Sequence, residues 1–219
     1  MTIDQEMRFD LIRSVIGREP KGTVLDVGCG DGSLARTLAD DGCRAFACDL
    51  PSPFRSVLRA PHAFYANGCR LPIGSDSFDF AVSCDVLEHV QPADRKEFLA
   101  ELVRVTRPGG TVVVTAFVKK TLSFRIWGAI WLILRGSLPS WYCEHVTIPT
   151  PDMQHIIDTV QTFSARLLLA RRHQGPLSLF SVGIQNAFGT ERFSSWAPVV
   201  ERADCLGSRM SCLLVFRKG

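Results

Sequence analysis

The 219-residue sequence predicts an α/β fold, a doubly wound sheet of mostly parallel strands with helices on both faces. Three observations predict it. Short apolar strands alternate with helix-spaced segments between residues 23 and 117. The first strand runs straight into the glycine-rich turn of VLDVGCGDG, and the second, RAFACD, ends on an acid.

Taken in order, Phe9, Leu11, Ile12, Val15 and Ile16 recur at helical spacing, and Gly17 with Pro20 ends that helix. Residues 23–27 are nearly all apolar, as befits a strand buried on both faces of a parallel sheet. Residues 33–40 carry Leu34, Ala35, Leu38 and Ala39 on one side of a helix closed by Gly42. A second strand at 44–49, a short helix at 51–58 and a weaker strand at 63–66 follow. The turn-rich LPIGSDS leads into a strand at 78–84. Pro92 suits the first turn of the next helix, where the amide it lacks would be orphaned anyway. That helix buries Phe98, Leu99, Leu102 and Val103 and is expected to stop at Pro108-Gly109-Gly110, before the β-branched strand 111–117 (TVVVTAF). After residue 118 the rhythm fails, in a stretch holding Trp127, Trp131, Trp141 and Tyr142. It resumes with a helix at 152–161 and strands at 165–170 and 212–217.

Composition narrows the class. At 46% apolar and 21% charged residues the chain reads as one soluble globular domain over residues 1–219. A net charge of +3 is too small to indicate a nucleic-acid surface, and Arg171-Arg172-His173 is read as a solvated strand end. The N-terminus has no signal-peptide pattern, and no apolar run reaches the ~20 residues of a spanning helix. Eight cysteines without a CxxC pair or ligand-like spacing to histidine imply a reduced, cytoplasmic setting, with no metal site and no disulfide framework.

Gly28, Gly30 and Gly32 lie between the first strand and the helix after it. A structural turn needs one glycine or two; three in alternation favour a loop whose backbone a ligand touches, beside the positive end of a helix. Asp49, 21 positions after Gly28, stands where an acid holds ribose hydroxyls, or alternatively caps the next turn. The dinucleotide fingerprint would need glycine where this chain has Ser33.

With these residues the chain resembles the class I S-adenosylmethionine-dependent methyltransferases, in their large small-molecule branch. VLDVGCGDG is similar to that family's first motif, FACDL to its acidic second-strand end, NGCRLPIGSDSFDFAVSCDVLEHV to its third and fourth strands, and RVTRPGGTVVVTAF to its turn into strand five. The resemblance implies a Rossmann-like sheet of seven strands with the last antiparallel, and S-adenosyl-L-methionine as cofactor. It implies that Gly28, Cys29 and Gly30 run along the methionine end, with Asp26 ordering the loop amides or holding the ammonium. Asp49 would take the ribose, Leu50 would lie on the adenine, Asn67 would accept from its amino group, and the Gly68 amide would donate to the ring. Cys84 and Asp85 would border the reacting centre.

The implied reaction is in-line methyl transfer to an oxygen or carbon of a small, apolar or lipid-linked acceptor. His145, in WYCEHV, is the candidate general base, while His89 is assigned to positioning a helix and His155 to the surface. The apolar segment TLSFRIWGAIWLILRGSLPSWY lies in a substrate-side insertion at 119–150. It reads as a lid or homodimer face, or as an interfacial helix reaching a membrane-bound acceptor. A small-molecule acceptor is the expected partner, and nucleic acid is not. Two rivals stand beside this: a non-catalytic S-adenosylmethionine-binding module, and a nicotinamide-dependent oxidoreductase. Against the latter, neither Tyr65 nor Tyr142 is followed four residues later by lysine.

Overall fold

The computed structural model describes residues 3–17, 22–51, 60, 62–118, 126, 129, 131–133, 136–138, 140–173 and 210–219. Its elements are helix α1 (Ile3–Ile16), strand β1 (Thr23–Val27), α2 (Ser33–Asp40), β2 (Arg44–Asp49), β3 (Ala63–Tyr65) and β4 (Phe78–Cys84). A 3₁₀ turn (Pro92–Asp94), α3 (Arg95–Val105), β5 (Thr106–Phe117), α4 (Ser140–Thr147), α5 (Met153–Gln161), β6 (Ala165–His173) and β7 (Ser211–Lys218) follow. The strands form one seven-stranded sheet among the described residues, in the order β3-β2-β1-β4-β5-β7-β6. Strands β1 to β5 pair in parallel, and β7 runs antiparallel to both β5 and β6. The expected doubly wound sheet with an antiparallel last strand is therefore present.

The two-residue period of a strand divides the core into two layers. Leu25, Val27, Ala81, Val112, Val114, Leu214 and Phe216 pack with α3 and α5 on one face. Val24, Val82, Val113, Leu213 and Val215 pack with Phe9, Ile12 and Ile16 of α1 and Leu34 and Leu38 of α2 on the other. The same parity carries Asp26, Cys84 and Thr115 onto the α1–α2 face at the carboxyl ends of β1, β4 and β5. Helix α1 is tied to the end of α2 by the Arg13 guanidinium, whose Nε and Nη2 donate to Asp41 at 2.5 and 2.7 Å.

Two boundaries differ from expectation. Pro92 opens the separate 3₁₀ turn rather than α3 itself. Helix α3 ends at Val105, not at Pro108-Gly109-Gly110: Thr106 is already extended, with ψ 133°, and pairs with Phe78. The register then jumps to Phe80 opposite Thr111, so residues 107–110 bulge out of the ladder. Proline lacks the amide a ladder needs, and a Cβ on Gly110 would lie 2.8 Å from the Asp79 carbonyl oxygen, which accounts for both residues in the bulge. The helix expected at 51–58 falls, but for Pro51, outside the described residues.

Leu214 is fully buried in β7, opposite Val114 and Ala170. Leu214→Ala is expected to lower unfolding free energy by about 2–5 kcal/mol in a denaturant titration, the range for emptying a core leucine site.

Candidate functional site

The loop leaving β1 is held by its own amides. Gly28 N and Cys29 N both donate to the Cys48 carbonyl, at 2.8 and 3.1 Å, and Gly30 N donates to Asp49 Oδ2 at 2.6 Å. Gly32 N returns to the Cys29 carbonyl and Ser33 N to Asp31 Oδ1. The anion-binding amides expected at this helix start are thus largely committed within the protein. The three glycines also serve different ends. A Cβ on Gly28 would sit 2.4 Å from Val86, and one on Gly32 would sit 2.7 Å from Ala60, so packing excludes side chains there. Gly30, at φ +60°, has open space where its Cβ would be and is the one that leaves room for a ligand.

Below the loop lies a cavity of about 850 Å³ at the carboxyl ends of β1, β2 and β4. This is where open α/β sheets bind ligands, and its size suits a nucleotide-sized molecule. Every residue assigned to the cofactor from the sequence lines it: Asp26, Gly28, Cys29, Gly30, Asp49, Leu50, Asn67, Gly68, Cys84 and Asp85. Asp49 is buried at the rim of β2 and fixed by Gly30 N on one oxygen and Leu50 N, at 2.7 Å, on the other. Leu50 is half exposed along the cavity wall. The Asn67 side-chain oxygen accepts from Cys69 N at 2.9 Å, an Asx turn that leaves a second lone pair. Gly68 is required by packing, since a Cβ there would lie 2.5 Å from Phe98.

Asp26 corrects one alternative. The loop amides are ordered by Cys48 and Asp49, not by Asp26, whose two oxygens have no hydrogen-bond partner among the described residues although the side chain is 1% exposed. Burial, with Asp49 nearby, pushes its carboxyl up to about 7, and the Ala35 backbone offsets only part of this. A buried carboxylate without a donor is costly, and a cation entering the cavity would relieve it. An ammonium does so, which makes the residues present a fit for S-adenosylmethionine.

At the far end of the cavity Asp85 follows β4 in a left-handed conformation, φ +53°. Its amide donates to the Thr115 carbonyl and hydroxyl oxygens, at 3.1 and 3.0 Å, while the Thr115 hydroxyl donates back to Asp85 Oδ1 at 2.6 Å. Arg8 of α1 donates to Oδ2. Burial would raise the Asp85 carboxyl, but Arg8 and Thr115 outweigh it and hold the group below the usual carboxylate range, ionised. Beside it burial keeps Cys84 a thiol. Glu88 is buried; its Oε1 accepts from Phe117 N at 3.1 Å and its Oε2 has no partner among the described residues. Burial and Asp85 together raise this carboxyl far above its usual range.

Gln5, Arg8 and Phe9 of α1 also line the cavity, and no sequence motif announces them. Glu88 lies inside the LEHV stretch, but only burial distinguishes it. His89 is exposed on the cavity wall, in a turn rather than on a helix. His155 is exposed on α5, where its amide donates to the capping Asp152. His145 lies on α4. On that helix Tyr142 packs against Phe117 and Met210, where β5 ends and β7 begins. Among the described residues no group of histidine, cysteine and acids could hold a metal, and no helix is long and apolar enough to cross a membrane.

Residues 25–114 match the family described as a methyltransferase domain. The chain is 29% identical to a malonyl-[acyl-carrier protein] O-methyltransferase of Pseudescherichia vulneris, over 80% of this chain and 77% of that protein. It is 37% identical to a demethylmenaquinone methyltransferase of Beutenbergia cavernae, over 47% of this chain and 43% of that one. Like the second, most of the curated relatives compared are spanned over about half their length or less. Among solved structures, phosphoethanolamine N-methyltransferase 2 of Haemonchus contortus, in complex with S-adenosyl-L-methionine, shares the fold with a TM-score of 0.66 and 14% identity, over 97% of this chain and 52% of that one.

Asp26 yields a test with a defined sign. A carboxyl titrating near 7 in the folded chain and near ~4 when unfolded favours folding at low pH and loses that contribution as pH rises through its folded value. Asp26→Asn is therefore expected to melt higher than wild type by a margin that widens from about pH 5 to pH 8. The same variant is expected to bind S-adenosylhomocysteine more weakly at pH 8 by calorimetry. Asp49→Ala leaves the Gly30 and Leu50 amides without this partner and is expected to lower unfolding free energy by about 1–3 kcal/mol in a denaturant titration, the cost of stranding a buried hydrogen-bonding group.

Proposed function

We propose that this chain, a class I S-adenosylmethionine-dependent methyltransferase, moves its methyl group to an oxygen or carbon of a small apolar or lipid-linked acceptor. The bound cofactor supplies an electrophilic methyl on a sulfonium, so the leaving group departs neutral and needs no acid. The protein's task is to orient and to exclude water, and near-attack geometry is worth roughly 7–11 kcal/mol in favourable cases.

In this reading Asp49 holds the ribose hydroxyls while its bonds to Gly30 N and Leu50 N keep it from rotating. Asp26 takes the ammonium, an assignment supported by its two unpartnered oxygens. Leu50, Asn67 and Gly68 flank the adenine, and Cys84 and Asp85 bound the end where the methyl leaves. His145 takes the proton released by the acceptor as the new methyl bond forms. Support for a base on α4 comes from Tyr142 of the same helix, which packs over Phe117 and Met210 at the edge that carries Cys84 and Thr115. Residues 119–150 are then a substrate-side insertion within one methyltransferase domain.

The observation that carries the acceptor class is the chemistry of residues 118–143. They contain no acid, four basic residues (Lys119, Lys120, Arg125 and Arg135) and three tryptophans. Ile126, Leu132, Ile133 and Leu138 are exposed there, Ile133 by 82%. Exposed aliphatic side chains with tryptophan and basic flanks favour an anionic lipid interface. Two relatives are named for demethylmenaquinone and for a malonyl group on acyl-carrier protein, and these names agree with a greasy or carrier-borne acceptor.

Incubation with methyl-labelled S-adenosylmethionine and cell extract is expected to put label in the organic-extractable fraction. Label confined to water-soluble products would overturn the acceptor class. His145→Asn is expected to lower kcat by ~10²–10⁴, the range for losing a positioned base, with binding of S-adenosylhomocysteine unchanged.

A further inference from the structure

We propose that Glu88 and Arg95 are positioning residues for the acceptor side: Glu88 holds the start of residues 118–149 through the Phe117 amide, and Arg95 holds their end through the Pro149 carbonyl. This rests on the methyltransferase reading above, which takes that stretch as the substrate side. Both residues come from one short segment, 85–95, running from the end of β4 to the first residue of α3. The same segment gives Asp85, Val86, His89, Val90, Gln91 and Asp94 to the cavity wall. Both ends of the insertion are therefore tied to the backbone that borders the cofactor.

Strand pairing explains why Glu88 is needed. The β4–β5 ladder ends at Cys84 opposite Thr115, two residues short of Phe117. Amides alternate in direction along a strand, and Val118 N turns toward β7, donating to the Met210 carbonyl at 2.8 Å. Phe117 N points to the other side, beyond the end of β4, where a buried amide needs an acceptor. The Glu88 carboxyl, 4% exposed, supplies it at 3.1 Å. Burial and the neighbouring Asp85 favour the protonated acid, whose carbonyl oxygen still accepts an amide, as a glutamine's does. The bond also seats Phe117, which packs against Met210 and Tyr142 of α4.

Arg95 serves the other end. Its Nε donates to the Val90 carbonyl at 3.1 Å and its Nη2 to the Pro149 carbonyl. Pro149 follows α4 and lies three residues before Asp152, whose side chain caps α5. One planar guanidinium thus joins a cavity-lining residue to the backbone between α4 and α5, with a directionality that a lysine ammonium lacks. Neither Glu88 nor Arg95 lines the cavity, so each acts on the acceptor side through backbone and leaves the cofactor's own contacts alone.

Hydrogen exchange read by mass spectrometry tests both anchors without an acceptor. Arg95→Met is expected to speed exchange of amides 140–148 by about 10-fold or more, with β1, β2 and β4 unchanged. Glu88→Ala is expected to do the same at Phe117 and Val118, and Glu88→Gln, which keeps the acceptor, to match wild type. In titrations of cell extract with methyl-labelled S-adenosylmethionine, Arg95→Met and Glu88→Ala are expected to need about 10-fold more extract for half-maximal transfer, with S-adenosylhomocysteine affinity within about twofold of wild type. Faster exchange spread evenly over the sheet, or S-adenosylhomocysteine binding that falls in step with transfer, would mean a general structural role and overturn the proposal. Unchanged exchange at 140–148 in Arg95→Met, unchanged transfer in both variants, or Glu88→Gln behaving like Glu88→Ala would overturn it too. If Glu88→Ala does not fold, Glu88→Gln and Arg95→Met decide by the same readings. Wild type that binds no S-adenosylhomocysteine would instead overturn the methyltransferase reading, and the two anchors would then stand or fall on exchange alone.

Discussion

The strand end of β2 consumes the loop that follows β1. Three successive amides, from Gly28, Cys29 and Gly30, are drawn onto Cys48 and Asp49. That requirement bends the backbone into left-handed conformations at Gly28 and Gly30, presses Gly28 against Val86, and opens the cavity floor next to Gly30. It also stops Asp26 from finding a donor in the loop above it. A polar group stranded in a core strand would be a defect in a purely structural domain. Here the stranding is the by-product of a loop tied elsewhere, and burial raises the stranded carboxyl to about 7.

Much of the fold was legible because its signals are local. Residues 23–27, 33–40, 44–49 and 78–84 fall where apolar period and turn chemistry put them, and β1, α2, β2 and β4 match those bounds. The end of α3 was misjudged because Pro108 and the two glycines look like a helix stop, whereas they form a bulge three residues later. Whether residues 106–110 pair with β4 depends on the carbonyl of Asp79 and on Phe78, thirty residues away in sequence. No local pattern carries that information.

Within the site, residues on the loop and at strand ends were visible because glycines and acids stand out against apolar strands, although Gly28, Gly32 and Gly68 prove to be required by packing. The contribution of α1 was not visible. Gln5, Arg8 and Phe9 belong to a helix without a ligand motif, and its docking through Phe9, Ile12 and Ile16 brings Arg8 to Asp85. Glu88 was hidden for a similar reason: a glutamate near a strand end looks solvated until the Phe117 amide and the surrounding core are seen. Residues 118–143 were legible in chemical character, through their tryptophans and missing acids, while the His145 side chain lies outside the described residues.

The antiparallel β7 has a consequence for how the molecule assembles. Among the described residues strand β6 is joined to the sheet only through β7, and β7 binds β5 across a gap of roughly a hundred residues, Thr111 facing Arg217. A nascent chain that has completed β5 therefore displays an unsatisfied hydrogen-bonding edge flanked by Val112, Val113 and Val114 until the last strand arrives. Such a long wait favours slow maturation and makes that edge the natural point of aggregation or of chaperone engagement during synthesis.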